Sequence, residues 1–218
     1  MRGYSLLISA ALLMGALTAN ADSLVTIRPT GTDSVNWSQL GSSYTSIANP
    51  FTFTTADGVA GTGSYASGTG EVRQQNNGWA GNFADGDFLN WTTDVGNGPL
   101  TLNFSQGFTQ IGAQIQSDYF GAFTAQICDV NGCVSEDGNS TSAGDDSAIY
   151  IGISSATPID SVTFSLTSAS YDPNDFAINQ VSLDGGASPV PEPSSLLLFG
   201  SGLVGFAGAM RRKFARKA

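Results

Sequence analysis

Short segments in which apolar and polar residues alternate strictly, each closed off by glycine, proline or asparagine, constrain this chain more than any other feature. Leu100, Leu102 and Phe104 alternate with Thr101, Asn103 and Ser105; Ile111, Ala113 and Ile115 alternate with Gly112, Gln114 and Gln116; Val162, Phe164 and Leu166 alternate with Ser161, Thr163 and Ser165. A period of two puts one set of side chains on each face of a strand, so these are half-buried strands. Further strands are expected over 24–28, 51–55, 88–92, 123–129, 149–153 and 176–183. Turn residues separate them, as in Val95-Gly96-Asn97-Gly98-Pro99 and Asp172-Pro173-Asn174. Between residues 22 and 188 no stretch carries apolar residues at helical spacing and no segment repeats, which leaves an all-β fold there: a two-sheet antiparallel sandwich of jelly-roll type. The Gly-, Ser- and Asn-rich stretch 55–82 reads as a long loop.

The two ends have a different character. Arg2, an apolar run from Leu6 to Leu17, and Ala19-Asn20-Ala21 make the three parts of a secretory signal, a helix cut after Ala21 by signal peptidase. At the other end Pro191-Glu192-Pro193 precedes an apolar segment, Leu196 to Met210, and then Arg211, Arg212, Lys213, Arg216 and Lys217. Fifteen helical residues span about 22 Å, short of a hydrocarbon core of about 30 Å, but flanking serines and snorkelling arginines close the gap. The terminal basic cluster places the C-terminus in the cytoplasm and the rest of the chain outside, in agreement with the signal peptide. The expected organisation is a signal peptide at 1–21, a β-sandwich at 22–188 and a single-span sorting segment at 189–218.

The tail resembles the PEP-CTERM sorting signal of bacterial exported proteins: Pro191-Glu192-Pro193, a glycine-containing apolar helix, and a basic cluster at Arg211, Arg212 and Lys213. The resemblance implies handling by an exosortase, which recognises the Pro-Glu-Pro region, removes the helix and releases or transfers the protein at the cell surface. The stretch 100–183 also resembles the β-rich part of many PEP-CTERM proteins, whose final strand often carries Asp-Asn after Asp-Phe-Ala-Ile. Here Asn179-Gln180 follows Asp175-Phe176-Ala177-Ile178.

Between Asp22 and Val190 the only basic residues are Arg28 and Arg73, set against 17 acidic ones, a net charge of −15. Such a surface repels phosphate backbones and anionic lipid, so nucleic-acid binding is disfavoured and membrane contact is confined to Leu196–Met210 before processing. The chain has no histidine, and the segment has no lysine. Ser-His-Asp and Cys-His machinery and Schiff-base chemistry are therefore excluded, and the segment is expected to be noncatalytic. Paired carboxylates leave glycoside hydrolysis as the minority alternative. Cys128 and Cys133 bracket Asp129-Val130-Asn131-Gly132, and in an exported chain a disulfide closing that hairpin is expected. They face each other if all four residues form the loop, and sit diagonally if Asn131-Gly132 alone makes the turn.

Oxygen donors at Asn82, Asp85, Asp87 and Asn90 form the best candidate set for calcium, ahead of Asp172 with Asp175 and of Asp145-Asp146. Among the aromatic residues Trp79, in the polar stretch Asn76-Asn77-Gly78-Trp79, is the first candidate for a flat face offered to a sugar ring, whereas Trp91, beside Phe88 and Leu89, is expected in the core. The functional expectation is an exported surface or matrix protein whose sandwich binds exopolysaccharide or another surface glycan with calcium. The alternative is a purely structural component of the biofilm matrix.

Overall fold

The structure is a computed structural model that describes residues 22–31, 33–93 and 95–186. The signal segment with Ala19 and Ala21, and the sorting segment with Pro191, Glu192, Pro193, Arg211, Arg212 and Lys213, lie outside the described residues. Strand accounts for 56% of the described residues, which contain no α-helix, as the alternation requires.

The first sheet is antiparallel and runs, edge to edge, β11 (Cys133–Ser140), β10 (Gly121–Cys128), the C-terminal half of β12 (Tyr150–Ser168), the N-terminal half of β9 (Leu100–Ser117), β5 (Ala60–Tyr65) and β4 (Phe51–Thr54). The other halves of β9 and β12 continue into the second layer. There β12 pairs with β1 (Ser23–Val25), and β9 pairs with β14 (Val181–Asp184) and β13 (Phe176–Ile178). Beyond them come β2 (Asp33–Val35) on β14, β8 (Phe88–Trp91) on β13, then β6 (Gly70–Gln75) with β3 (Thr45–Ile47) and the short parallel β7 (Gly78–Trp79). Two long strands thus pass from one layer into the other. The β9–β12 register slips around Ile159, where Pro158 cannot donate to a ladder, and Gly107 lies so close to Pro158 that a Cβ there would collide with it.

The stretch 55–82 is not the loop that its composition suggests, since β5, β6 and β7 lie within it. The reason is packing. A Cβ on Gly61, Gly63 or Gly70 would overlap the rings of Phe53, Phe51 and Tyr65 respectively, so neighbouring rings take the space the missing side chains leave. Between the layers, Trp37, Phe51, Phe53, Tyr65, Phe104 and Phe108 form an aromatic spine with mostly edge-to-face contacts, among them Phe53–Phe104 at 5.5 Å and Phe104–Phe108 at 5.4 Å. Trp37 is fully buried and its indole donates to the carbonyl of Asn179 at 2.8 Å, which ties the turn after β2 to the junction of β13 and β14.

Candidate functional site

The second layer buries residues on both faces of its central strands. In β8, Asn90 faces inward and accepts from Tyr65 Oη at 2.6 Å, whereas Leu89 and Trp91 face outward. Outward-facing Ala177 of β13 joins them, and Trp79, Phe83 and Ala148 complete a second, smaller apolar cluster. The segments 76–87 and 141–148 cover that cluster. They hold each other by Gly144 N–H to Gly81 O at 2.7 Å and Ala148 N–H to Asn82 O at 3.2 Å, and hold the sheet by Asn82 N–H to Gln116 Oε1 at 2.8 Å.

At the β6–β3 side of this face lies a stack. Glu71 and Arg73, two residues apart on β6, project to the same side, and Arg73 Nε pairs with Glu71 Oε1 at 2.6 Å. The Arg73 guanidinium lies between two rings, 4.5 Å from the Trp91 centroid and 4.4 Å from that of Tyr44, and its Nη1 donates to Gly78 O at 3.2 Å. Trp91 is fixed in turn by its indole N–H, which donates to the buried Asp175 Oδ1 at 2.7 Å. Tyr44, the outermost member, is 61% exposed. Its backbone is left-handed, with φ 73°, and its amide donates to Val72 O at 2.7 Å. A left-handed non-glycine residue costs about 1–2 kcal/mol, and cation–π contact on the order of 0.5–2 kcal/mol offsets it. Gly78 lies against the phenol end of the ring, where a Cβ would stand 2.8 Å from Tyr44 Cζ and 3.0 Å from its Oη. The result is a ring fixed by Arg73 and Gly78 and still 61% exposed.

A second exposed aromatic group sits on the loops after β9 and β12. Tyr119 and Tyr171 have centroids 4.5 Å apart, and Tyr171 and the neighbouring Phe120 are exposed.

The oxygen donors singled out in the sequence turn to separate partners. Asn82 is buried, accepts from Thr141 N–H at 2.6 Å and donates to Ser147 Oγ at 3.0 Å. Asp85 accepts from Asn76 Nδ2 at 3.0 Å, Asp87 from Asn179 Nδ2 at 2.9 Å, and Asn90 is turned to Tyr65 inside the sandwich. Among the described residues no three carboxylate, histidine or cysteine side chains lie close enough together to hold a metal ion. Trp79 is buried in the smaller cluster, edge-on to Trp91 at 5.9 Å, and presents no ring to solvent; Trp91 is buried, as expected. Asp145 pairs with its neighbour Ser147, whose hydroxyl hydrogen bond holds the carboxyl below its ordinary pKa, while Asp146 accepts from Gln114 Nε2 at 2.8 Å. Asp172 caps Asn174 N–H at 2.8 Å and Asp175 is committed to Trp91. Asn179 is buried and links Gln114, Asp87 and, through its carbonyl, Trp37. The disulfide joins Cys128 and Cys133, which are direct cross-strand partners, so all four intervening residues form the loop; Asp129 Oδ1 accepts from Asn131 N–H at 2.7 Å and Gly132 N–H at 3.0 Å.

Sequence reasoning undervalued Arg73. The signal was there: one of only two basic residues between Asp22 and Val190, placed two positions after Glu71 on an alternating strand, is set up for a same-face ion pair.

Residues 189–213 match the PEP-CTERM protein-sorting motif. The chain thus carries the mark of an exported substrate sorted by an exosortase. No curated protein matches. Among solved structures, that of CsCBM6-3 from Clostridium stercorarium in complex with cellobiose aligns over 75% of this chain and 93% of its own at 11% identity, with a TM-score of 0.24, too distant to bear on the site.

Proposed function

We propose that the chain is delivered to the cell surface as a noncatalytic carbohydrate-binding module of jelly-roll type, with 1–21 removed as the signal, 22–188 as the module and 189–218 as the sorting segment. The ligand is an exopolysaccharide or surface glycan, and the contact is the Tyr44 corner. The observation that carries this reading is the Tyr44–Arg73–Trp91 stack: an exposed ring, immobilised on a strained backbone above a buried tryptophan. A pyranose presents an apolar C–H face and a polar rim. A rigid ring stacks on the first with little ordering cost, and nearby polar groups such as Ser43 and Asn77 serve the second. Calcium is given no step in this reading: Asn82, Asp85, Asp87 and Asn90 each hold a hydrogen-bond partner within the protein.

Co-sedimentation of the purified full chain, kept in detergent, with the host's own exopolysaccharide tests the reading. Wild type is retained in calcium and in chelator alike, and Tyr44→Ala lowers retention at least tenfold while the melting temperature changes little. Equal retention of Tyr44→Ala, or no retention of the wild type, would sink it in favour of a purely structural matrix role.

A further inference from the structure

We infer that the Tyr44 corner selects uncharged sugar units, and that Glu71 is the residue that sets this selectivity. The inference rests on the carbohydrate reading above and adds the class of ligand.

An arginine beside an exposed aromatic ring is ordinarily the place where a uronate carboxylate would dock, because the guanidinium edge matches a carboxylate in two-point geometry. In this chain two of the guanidinium's three nitrogens, Nε and Nη1, already hold acceptors. Glu71 Oε1 sits 2.6 Å from Arg73 Nε, Gly78 O receives Nη1 at 3.2 Å, and the two flat faces are covered by Tyr44 and Trp91. Glu71 thus stands where the acid group of an anionic sugar would bind, and any second carboxylate arriving there meets it as a like charge. No other cation relieves this. Among the described residues the remaining arginine, Arg28, lies before β2 and donates to Gln114 Oε1 at 2.8 Å, while Asp175 accepts from Trp91. The long-range field acts in the same direction, since the chain from Asp22 to Val190 carries a net charge of −15. The guanidinium therefore positions Tyr44 while its charge is balanced by Glu71.

The local effect and the overall field are separable. Beyond a Debye length of about 8 Å at physiological ionic strength the overall field is screened, whereas a contact pair persists. The test uses two forms of one polymer: the host's exopolysaccharide, and the same material after oxidation of its primary alcohols to carboxylates. Co-sedimentation of the full chain in detergent is run at low and at high salt. Wild-type retention should fall at least tenfold on the oxidised polymer and stay low at high salt. Glu71→Gln, which keeps the shape and removes the charge, should regain most of that loss, read as the ratio of retention on the oxidised to the untreated polymer. Asp137→Asn makes the same change in net charge on β11, in the first sheet, and should regain nothing at high salt. Equal wild-type retention on both forms would overturn the selectivity and leave the carbohydrate reading standing. A Glu71→Gln chain that folds but still rejects the oxidised polymer, or an Asp137→Asn chain that matches it, would overturn the role of Glu71. Failure of the wild type to sediment with either form would instead remove the carbohydrate reading, and this inference with it.

Discussion

The outer faces of the two layers are built from the same kind of alternating strand and end up as opposites. On the first sheet the outward residues fall into registered rows, Thr52–Thr62–Asn103–Ser161 and Ser64–Thr101–Thr163 among them. Their hydroxyls and amides pair across strands, Ser161 Oγ to Asn103 Oδ1 at 2.8 Å and Thr101 with Thr163 at 2.9 Å. Further along, Thr124 bonds Asp137 at 2.8 Å on the edge strand β11. On the second layer the outward residues are Leu89, Trp91 and Ala177 with Glu71 and Arg73, and two chain segments fold over most of them. The difference teaches that a strand's outward face need not be its solvent face. Where outward residues satisfy one another and water, the sheet stays bare; where they are large and apolar, the chain must supply a lid, and the place where the lid stops becomes a site.

Trp91 is where this contrast is easiest to break. Its ring touches Trp79, underlies Arg73 and holds the buried Asp175 carboxylate. Trp91→Ala removes all three contacts, and large-to-small changes of this kind cost about 3–5 kcal/mol. For a unit of this size that lowers the melting temperature by roughly 10 °C, at about 2–4 °C per kcal/mol. Thermal unfolding followed by circular dichroism checks it; a loss below about 1 kcal/mol would mean that the second layer does not depend on its covered face.

Alkaline pH should separate the layers by a smaller amount. Burial pushes the Tyr150 hydroxyl up to about 12, against an opposing hydrogen bond from Ser182 and the charge of Arg28, and burial likewise raises Tyr65 above the ordinary tyrosine value. Both belong to the core or the second layer, whereas the outward rows of the first sheet are aliphatic hydroxyls and amides with Asp137 at their edge. The unfolded chain releases its tyrosine protons near pH 10 while the folded chain keeps them. Stability is therefore fully present below pH 10 and is lost as pH rises towards the folded values. For Tyr150 the loss between pH 10 and 12 is about 2–3 kcal/mol. Tyr150→Phe should flatten that part of the slope in denaturant titrations at the two pH values. An unchanged slope would show that Tyr150 does not feel the burial.

Much of this was legible in the sequence, and the illegible part has a physical cause. Period-two alternation located β9 and β12, because one face of each meets the common core, and the spacing of Cys128 and Cys133 was read as a hairpin staple. Glycine defeated the reading at β5 and β6. Gly61, Gly63 and Gly70 look like loop residues one by one, and only the rings of Phe53, Phe51 and Tyr65 lying over them turn their absence of side chain into strand packing. The same blindness applied to Trp79, whose polar neighbours suggested exposure although the segment folds down as a lid. Tyr44 was legible only as one aromatic residue among several. Its left-handed φ of 73° and its position above Arg73 are tertiary facts.

The smallest expected effect is the one that most sharpens the contrast. Thr101 and Thr163 form a cross-strand hydroxyl pair at 2.9 Å on the bare face, with neither side chain fully buried. Replacing both by valine removes donor and acceptor together, so no polar atom is left behind without its partner, and valine keeps the β-branched shape that a strand favours. The stability change should stay within about 0.5 kcal/mol. Replacing Thr101 alone also stays small, because water reaches the hydroxyl that Thr163 retains. A double substitution that costs 2 kcal/mol or more would show that the rows are held as a dry, cooperative network. The first sheet would then have a covered face of its own, and the search for what covers it would begin at those rows and not at Tyr44.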